Sequence, residues 1–586
     1  MADNSNYELM VAIDFGTTYS GYAFQFTGEY DPEDPTKKIL SPQSWNDGPT
    51  KLTSMKTPTC LLLDRNQDID SFGYIAEDKY ADLCMDGDNM NWYYFRRFKM
   101  KLHDTKGLKK TTLIADETGK QLPALTVFGK SIRCLKDHLI ELLRKRNFDP
   151  TDDEIKWVLT VPAIWDDTAK GFMREAANMA GILSKHLTIA LEPEAASLFC
   201  QYLPVEKFSV GGQTKFSDAK PGTTYMIVDL GGGTADITVH EKVENGKLKE
   251  VYQASGGPWG GTSVDAAYIA LISRIIGGPV FAKFMKEQTF DYLDMMRDFE
   301  SVKRNVSLST TDDVKMKMPV SLSETCSSAR NKDFKTLVKE AREDKNITFI
   351  GDKAKFKPVL MQNLFKKATD KIVSHMKKIL DTTPAGKKVS LILMVGGFSE
   401  SAYIQDVIKK EFHDKKGRKV LVPKDAGISV VQGAVVYGRQ PGNITSRVLR
   451  YSYGVAVSPK FEEGKHNQSK MKTVAGVNRC GDVFSKFINI GTAVEVGHQV
   501  KQSYKTIDPL ATSCAFRVFF STDEDPMYTD DVSCQPLGQL DVDYPNPYKR
   551  ILDIEVDYIF GDTELSIKAI ETDSKCTCQT KLRMLE

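Results

Sequence analysis

The chain has 586 residues, 79 Lys+Arg against 78 Asp+Glu, 41% hydrophobic residues, 24 Pro and 41 Gly, a composition that excludes disordered, collagen-like and coiled-coil proteins. A net charge of +1 gives no field to steer nucleic acid or an anionic membrane, and no run approaches the roughly 18–20 apolar residues that span a bilayer. At about 150 residues per domain the length predicts about three to four compact units, while scattered Cys and a polar Met1–Glu8 start predict a reduced cytoplasmic, or nuclear, chain.

The first predicted element is a hairpin. An apolar run from Met10 ends in Asp14, Gly16-Thr17-Thr18 makes a turn, and Tyr22–Phe26 returns as a strand. Thr160–Trp165 reads as a strand, and Asp167 as the N-cap of a helix with Met173, Ala176, Ala177 and Ala180 on one face, stopped by Gly181. A short strand, Ile189–Leu191, delivers Glu192-Pro193-Glu194 to the start of a helix through Phe199. Met226–Asp229, Gly231–Thr234 and Ala235–His240 then repeat the pattern of the first hairpin, and Asn245-Gly246 predicts a type I′ turn. Phe365–Ile379 is an amphipathic helix broken at Pro384. Val389–Val395 is a buried strand that ends in Gly396-Gly397, a pair suited to a backbone lying flat against a planar ligand, before a helix near Tyr403–Phe412.

Each glycine turn lets backbone N–H groups and hydroxyls converge on one point, as phosphate oxygens require, and each sets a carboxylate beside it. Carboxylates next to phosphates call for a cation between them, and Mg²⁺ suits oxygen ligands of this kind. Two hairpins clasping a Mg-nucleotide between two lobes is the reading these residues support. Of the Cys, only Cys576 and Cys578 are close, at a C-x-C spacing that is wrong for a C-x-x-C redox or zinc pair.

Five segments in order, Ile13–Ser20, Val161–Ala163, Leu191–Pro193 with Ala195-Ala196, Asp229–Thr234 with Asp236, and Val395–Gly397, resemble the 70-kDa heat-shock chaperone family. Glu300, Lys303, Arg304 and Ser307 reproduce the E-x-x-K-R-x-x-S helix face with which that family holds adenosine. The resemblance implies an α/β, actin-like (ribonuclease-H-like) two-lobed ATPase domain followed by a β-sandwich domain. Lobe I is expected over 1–210, lobe II over 211–440 with a helix near Gln432–Tyr437 returning to lobe I, and the substrate-binding-like sandwich over 447–586. The family's helical lid is expected to be missing, and with Trp92–Lys101 this makes the chain similar to the divergent heat shock 70 kDa protein 12 branch.

The roles that follow are what the resemblance implies. Asp14 and Asp229 hold Mg²⁺; Gly16, Thr17, Thr18, Tyr19, Gly232, Gly233 and Thr234 surround the phosphates of ATP or ADP. Glu192 and Asp236 orient the attacking water, with Glu192 as base, and Lys99 is the catalytic lysine, with Lys101 and Arg97 as rivals. Glu300, Lys303, Arg304, Ser307, Gly396 and Gly397 hold the nucleoside, and Phe398 either stacks on the base or is a core aromatic. Three positions depart from the family's pattern: Glu400 stands where it has a second base-stacking Arg, Thr262 replaces a Glu, and basic, leucine-poor Asn443–Arg450 replaces its leucine linker, which argues against ATP-driven docking of the two domains.

The expected function is that of an ATP-binding chaperone-like protein of the stress response, with slow or peptide-coupled hydrolysis and protein or peptide clients and co-chaperones as partners. A non-catalytic nucleotide-dependent scaffold and a small-metabolite kinase of the same fold are the alternatives. Lys415–Lys419 reads as a solvated turn, with a nuclear signal as the other possibility.

Overall fold

The first strand, Leu9–Phe15, is buried along its whole length in the computed structural model, which describes residues 7–42, 45, 54–105, 108–210, 216–350, 353–544, 546, 549–572 and 577–581. Leu9, Val11, Ile13 and Phe15 point into the core of lobe I, while Met10 and Ala12 point into a second apolar layer on the other side. This two-sided burial is why inner strands read as uninterrupted apolar runs. The strand pairs antiparallel with Tyr19–Phe26 and parallel with Ile155–Val161, beyond which lies Leu187–Leu191.

Lobe II repeats the arrangement. Thr224–Leu230 pairs antiparallel with Ala235–Lys242 and parallel with Leu391–Val395, beyond which lies Lys419–Pro423. Asp14 faces Thr160 across its parallel pair and Asp229 faces Val395 across the other, so the two acids occupy equivalent corners of the two lobes.

The helices Glu192–Cys200 and Ala426–Arg439 cross in the layer between the sheets. The crossing is so close that a Cβ on Gly433 would lie 1.8 Å from the Ala195 carbonyl oxygen. The three nearest atoms, Ala195 O and C and Ala196 N, are all backbone, so a methyl group can be accommodated only by parting the helices. Gly433→Ala is therefore expected to destabilise the ATPase part by about 1–3 kcal/mol, read as a lower thermal midpoint; an unchanged midpoint would show that the crossing is loose.

Several boundaries move from their expected places. The strand read over Thr160–Trp165 is Ile155–Val161, and the helix after it is capped by Asp166 rather than Asp167. Asp166 keeps extended backbone angles and accepts the Ala169 N–H at 2.8 Å, whereas Asp167 is already in the first turn and turns its carboxylate to Lys170 and Tyr453. The helix ends at Gly181, φ +82°, with Ile182 N–H bonded to Ala177 and Gly181 N–H to Asn178, a Schellman closure. Asn245 and Gly246 both take positive φ, 58° and 70°, as a mirror-image turn requires.

The C-terminal part is a sandwich of two four-stranded sheets, one ordered Val483–Ile488, Ser452–Val457, Ser513–Ser521, Cys534–Asp543 and the other His498–Lys505, Asp553–Phe560, Ser566–Glu571, Thr577–Lys581. Inward-facing Val455, Val518, Leu540, Val556, Tyr558 and Ile567 form its core. Cys576 lies outside the described residues.

The segment joining the two parts is docked between them. Ile444–Val448 is a strand, parallel to Leu248–Gly257 of lobe II and antiparallel to Ala493–Glu495 of the sandwich. Its charge is not solvated: Arg447 gives Nε and Nη2 to the two carboxylate oxygens of Glu194 at 2.8 and 2.7 Å, with both side chains buried. Arg174 makes a second two-bond pair with Glu564 across the same joint. Buried arginine–glutamate pairs thus hold a joint whose linker lacks the leucines of the pattern it resembles.

Candidate active site

The two hairpin turns face each other across a cavity of about 550 Å³. A Cβ on Gly232 would lie 2.3 Å from Thr18 Oγ1, and one on Gly233 would lie 2.6 Å from Thr17 Oγ1. Gly232 is set by close approach of the opposite turn and Gly233 by that turn together with the Met100 sulfur, 2.3 Å from such a Cβ, and the result is a narrow throat bordered by Thr17, Thr18 and Thr234. Gly396 is fixed differently. Its φ is +84°, and a Cβ there would sit 2.3 Å from Asp229 Oδ1, whereas Gly397 opens onto free space.

At the throat lie three acids and two lysines, with a fourth acid, Asp236, buried behind them. Asp14 Oδ1 accepts the Thr160 hydroxyl at 3.0 Å, and Asp14 Oδ2 accepts the Lys56 ammonium at 2.5 Å. Lys99, 2% exposed, donates to Glu192 Oε1 at 2.8 Å and lies 5.0 Å from the centre of the Trp165 ring. Asp236 accepts the Ile164 N–H at 2.8 Å. Burial pushes the Glu192 carboxyl up to about 7, with Lys99 opposing the shift and Asp14 and Asp236 adding to it. Burial also holds Asp229 well above the carboxylate range, reinforced by Glu192, Asp236 and Asp14. Crowded acids of this kind favour a cation among them.

Among the described residues no group of three or more His, Cys, Asp and Glu forms a ready-made metal cage. Mg²⁺ does not need one, since it is commonly held by one or two carboxylates together with waters and phosphates. Asp229 Oδ2 is buried without a hydrogen-bond donor, a hard oxygen left free for a cation, so the residues fit the ion.

The sequence candidates divide as follows. Asp14, Gly16, Thr17, Thr18, Tyr19, Lys99, Glu192, Asp229, Gly232, Gly233 and Thr234 line the cavity at the throat, and Glu300, Lys303, Arg304, Gly396, Gly397 and Phe398 line it further out. Asp236 and Ser307 are not among its lining residues, and Ser307 bonds instead to Ser309 and Thr310. Of the rivals to Lys99, Arg97 pairs with Asp265 at 2.8 Å and Lys101 is exposed. Lys303 pairs with Asp265 at 2.6 Å and with Glu300. The Arg304 guanidinium lies 5.6 Å from the Tyr19 ring centre. Phe398 is 7% exposed and lies parallel to Phe365. Glu400 Oε1 accepts the Gly427 N–H at 2.8 Å, which brings Asp425, Gly427 and Ile428 to the outer wall.

Lys56 and the Asp425–Ile428 wall were missed by sequence reasoning. A helix start could have drawn attention to the second, but a single lysine with no spacing partner carries no signal for the first.

A family model described as Hsp70 protein matches residues 104–523 of this chain. Heat shock 70 kDa protein 12B of Homo sapiens is 31% identical over 99% of the chain and 92% of that protein. Heat shock 70 kDa protein 12A of Mus musculus is 32% identical over 98% and 91%, and its Homo sapiens counterpart is 32% identical over 97% and 90%.

Proposed function

This chain belongs to the Hsp70 family, and on that footing we propose that it is an ATP-binding, chaperone-like protein that holds ATP or ADP with Mg²⁺ between its lobes and hydrolyses ATP slowly. The observation that carries the reading is the throat: two glycine-threonine turns in contact, with Asp14 and Asp229 at matching corners and the Lys99–Glu192 pair beside them. Asp14 and Asp229 would hold the ion, which supplies charge neutralisation to the phosphates.

The chain's own groups do the rest. Thr17, Thr18, Gly232, Gly233 and Thr234 orient the phosphates. Glu192, held in place by Lys99 and made more basic by burial, accepts the proton of the attacking water at Oε1 or Oε2. Lys99 then stabilises charge gathering at the transferred group. Peptide or unfolded clients would engage the sandwich, in the cytoplasm, and the docked linker strand would carry the response.

Asp14→Asn removes a charge from the ion's site and is expected to weaken Mg·ATP binding by about one to two orders of magnitude, measured by calorimetry. Equal affinity of the variant and the unaltered protein would remove Asp14 from the site.

A further inference from the structure

One cation at the throat is not used by the mechanism above. Lys56 immediately precedes the short strand Thr57–Pro58, which pairs with Tyr19 and Ser20 at the edge of the first hairpin. The backbone there is pinned twice, by Thr59 N–H to the Thr18 carbonyl at 2.9 Å and by Thr59 Oγ1 to the Gly16 carbonyl at 2.8 Å. The Lys56 stem lies over Gly21, where an added Cβ would meet its Cγ at 3.0 Å. From this anchored position the side chain, 17% exposed, runs into the cavity and ends at Asp14.

Lys56, Asp14 and Thr160 all belong to lobe I, so their contact does not depend on how the lobes close. The other throat lysine is engaged by Glu192. Lys56 is therefore the throat lysine that rests on a carboxylate assigned to the metal rather than on the proposed base. An ammonium has three rotatable donors, enough to hold Asp14 and a phosphate oxygen together.

We propose that Lys56 is a tethered cation on the Asp14 side of the site, which lets the protein bind metal-free nucleoside polyphosphate and makes it compete with the divalent ion for Asp14. The proposal rests on the nucleotide-site reading above and gives the site a second substrate form, the free polyphosphate beside the metal complex. Without a metal, Lys56 neutralises Asp14 and offers a donor to the phosphates. Where Asp14 holds a metal, the Lys56 ammonium would share or yield that carboxylate and would remain available to the phosphates.

The test is calorimetric titration with ADP, in excess chelator and in excess Mg²⁺, of the full chain and of its Lys56→Met and Lys56→Arg variants. The unaltered protein is expected to lose less than about tenfold in affinity when Mg²⁺ is withdrawn, and Lys56→Met more than about a hundredfold, on the scale of a charge-assisted contact. Lys56→Arg keeps the charge and is expected to bind ADP in chelator within about tenfold of the unaltered protein. Thermal midpoints without nucleotide report whether each variant is folded. The same Mg²⁺ dependence in the unaltered protein and Lys56→Met, or an equal loss for Lys56→Met in both buffers, would overturn the proposal while leaving the nucleotide site standing. No ADP binding by the unaltered protein even in Mg²⁺ would overturn both.

Discussion

Replacing Glu192 by glutamine is expected to lower the single-turnover rate of ATP hydrolysis by about a hundredfold or more, with Mg·ATP affinity nearly unchanged. Glutamine has the shape of the acid but cannot accept the proton from water. The side chain is buried beside Lys99, Asp14 and Asp236, and its carboxyl is pushed up to about 7 by that burial. A base must be ionised to act, so the rate of the unaltered protein should rise with pH through about 7 and level off above it. Lys99→Met removes the cation that opposes the upward shift, so the rising limb should move to higher pH. Quenched-flow measurement of phosphate formation across this range checks both; a Glu192→Gln variant that turns over at the normal rate would remove Glu192 from the chemistry.

The second large effect concerns the joint. Arg447→Met is expected to cost about 3–5 kcal/mol of stability, because it leaves the buried Glu194 carboxylate without its partner. Arg447 also donates to the Gly561 carbonyl of the sandwich, so the same change should loosen the two parts and expose residues 440–450 to protease. The double variant Arg447→Met with Glu194→Gln removes the stranded charge and should regain part of the loss. Denaturant midpoints and the rate of cleavage at the linker provide the readout. A single variant as stable and as protease-resistant as the unaltered protein would mean that the pair does not hold the joint. Glu194 lies two residues after Glu192 on one helix, so the pair also links the linker strand to the acid at the throat.

What could be read in advance was what is local. The glycine-threonine turns, their flanking strands and the Glu192 helix declare themselves within a few residues, because close approach and turn formation demand particular residue types at particular places. Lys56 and Arg447 could not be read this way. Lys56 reaches Asp14 over 42 residues of sequence and Arg447 reaches Glu194 over 253, and an unpaired-looking basic residue in a sequence suggests solvent before it suggests a buried partner. The linker is a further case: its arginines have no visible partner in the sequence, and only the fold brings up the acid that neutralises Arg447. The Asp166 cap differed by one residue from the expectation because two adjacent aspartates compete for the role and tertiary partners decide between them.

The central claim, a Mg-nucleotide held between two repeated hairpins, is tested most directly by calorimetric titration of the purified full chain with ATP in Mg²⁺, alongside the double variant Asp14→Asn with Asp229→Asn. Saturable binding of one ATP per chain, lost in the double variant, is the predicted result. No saturable heat from the unaltered protein, or equal binding by the double variant, would contradict it.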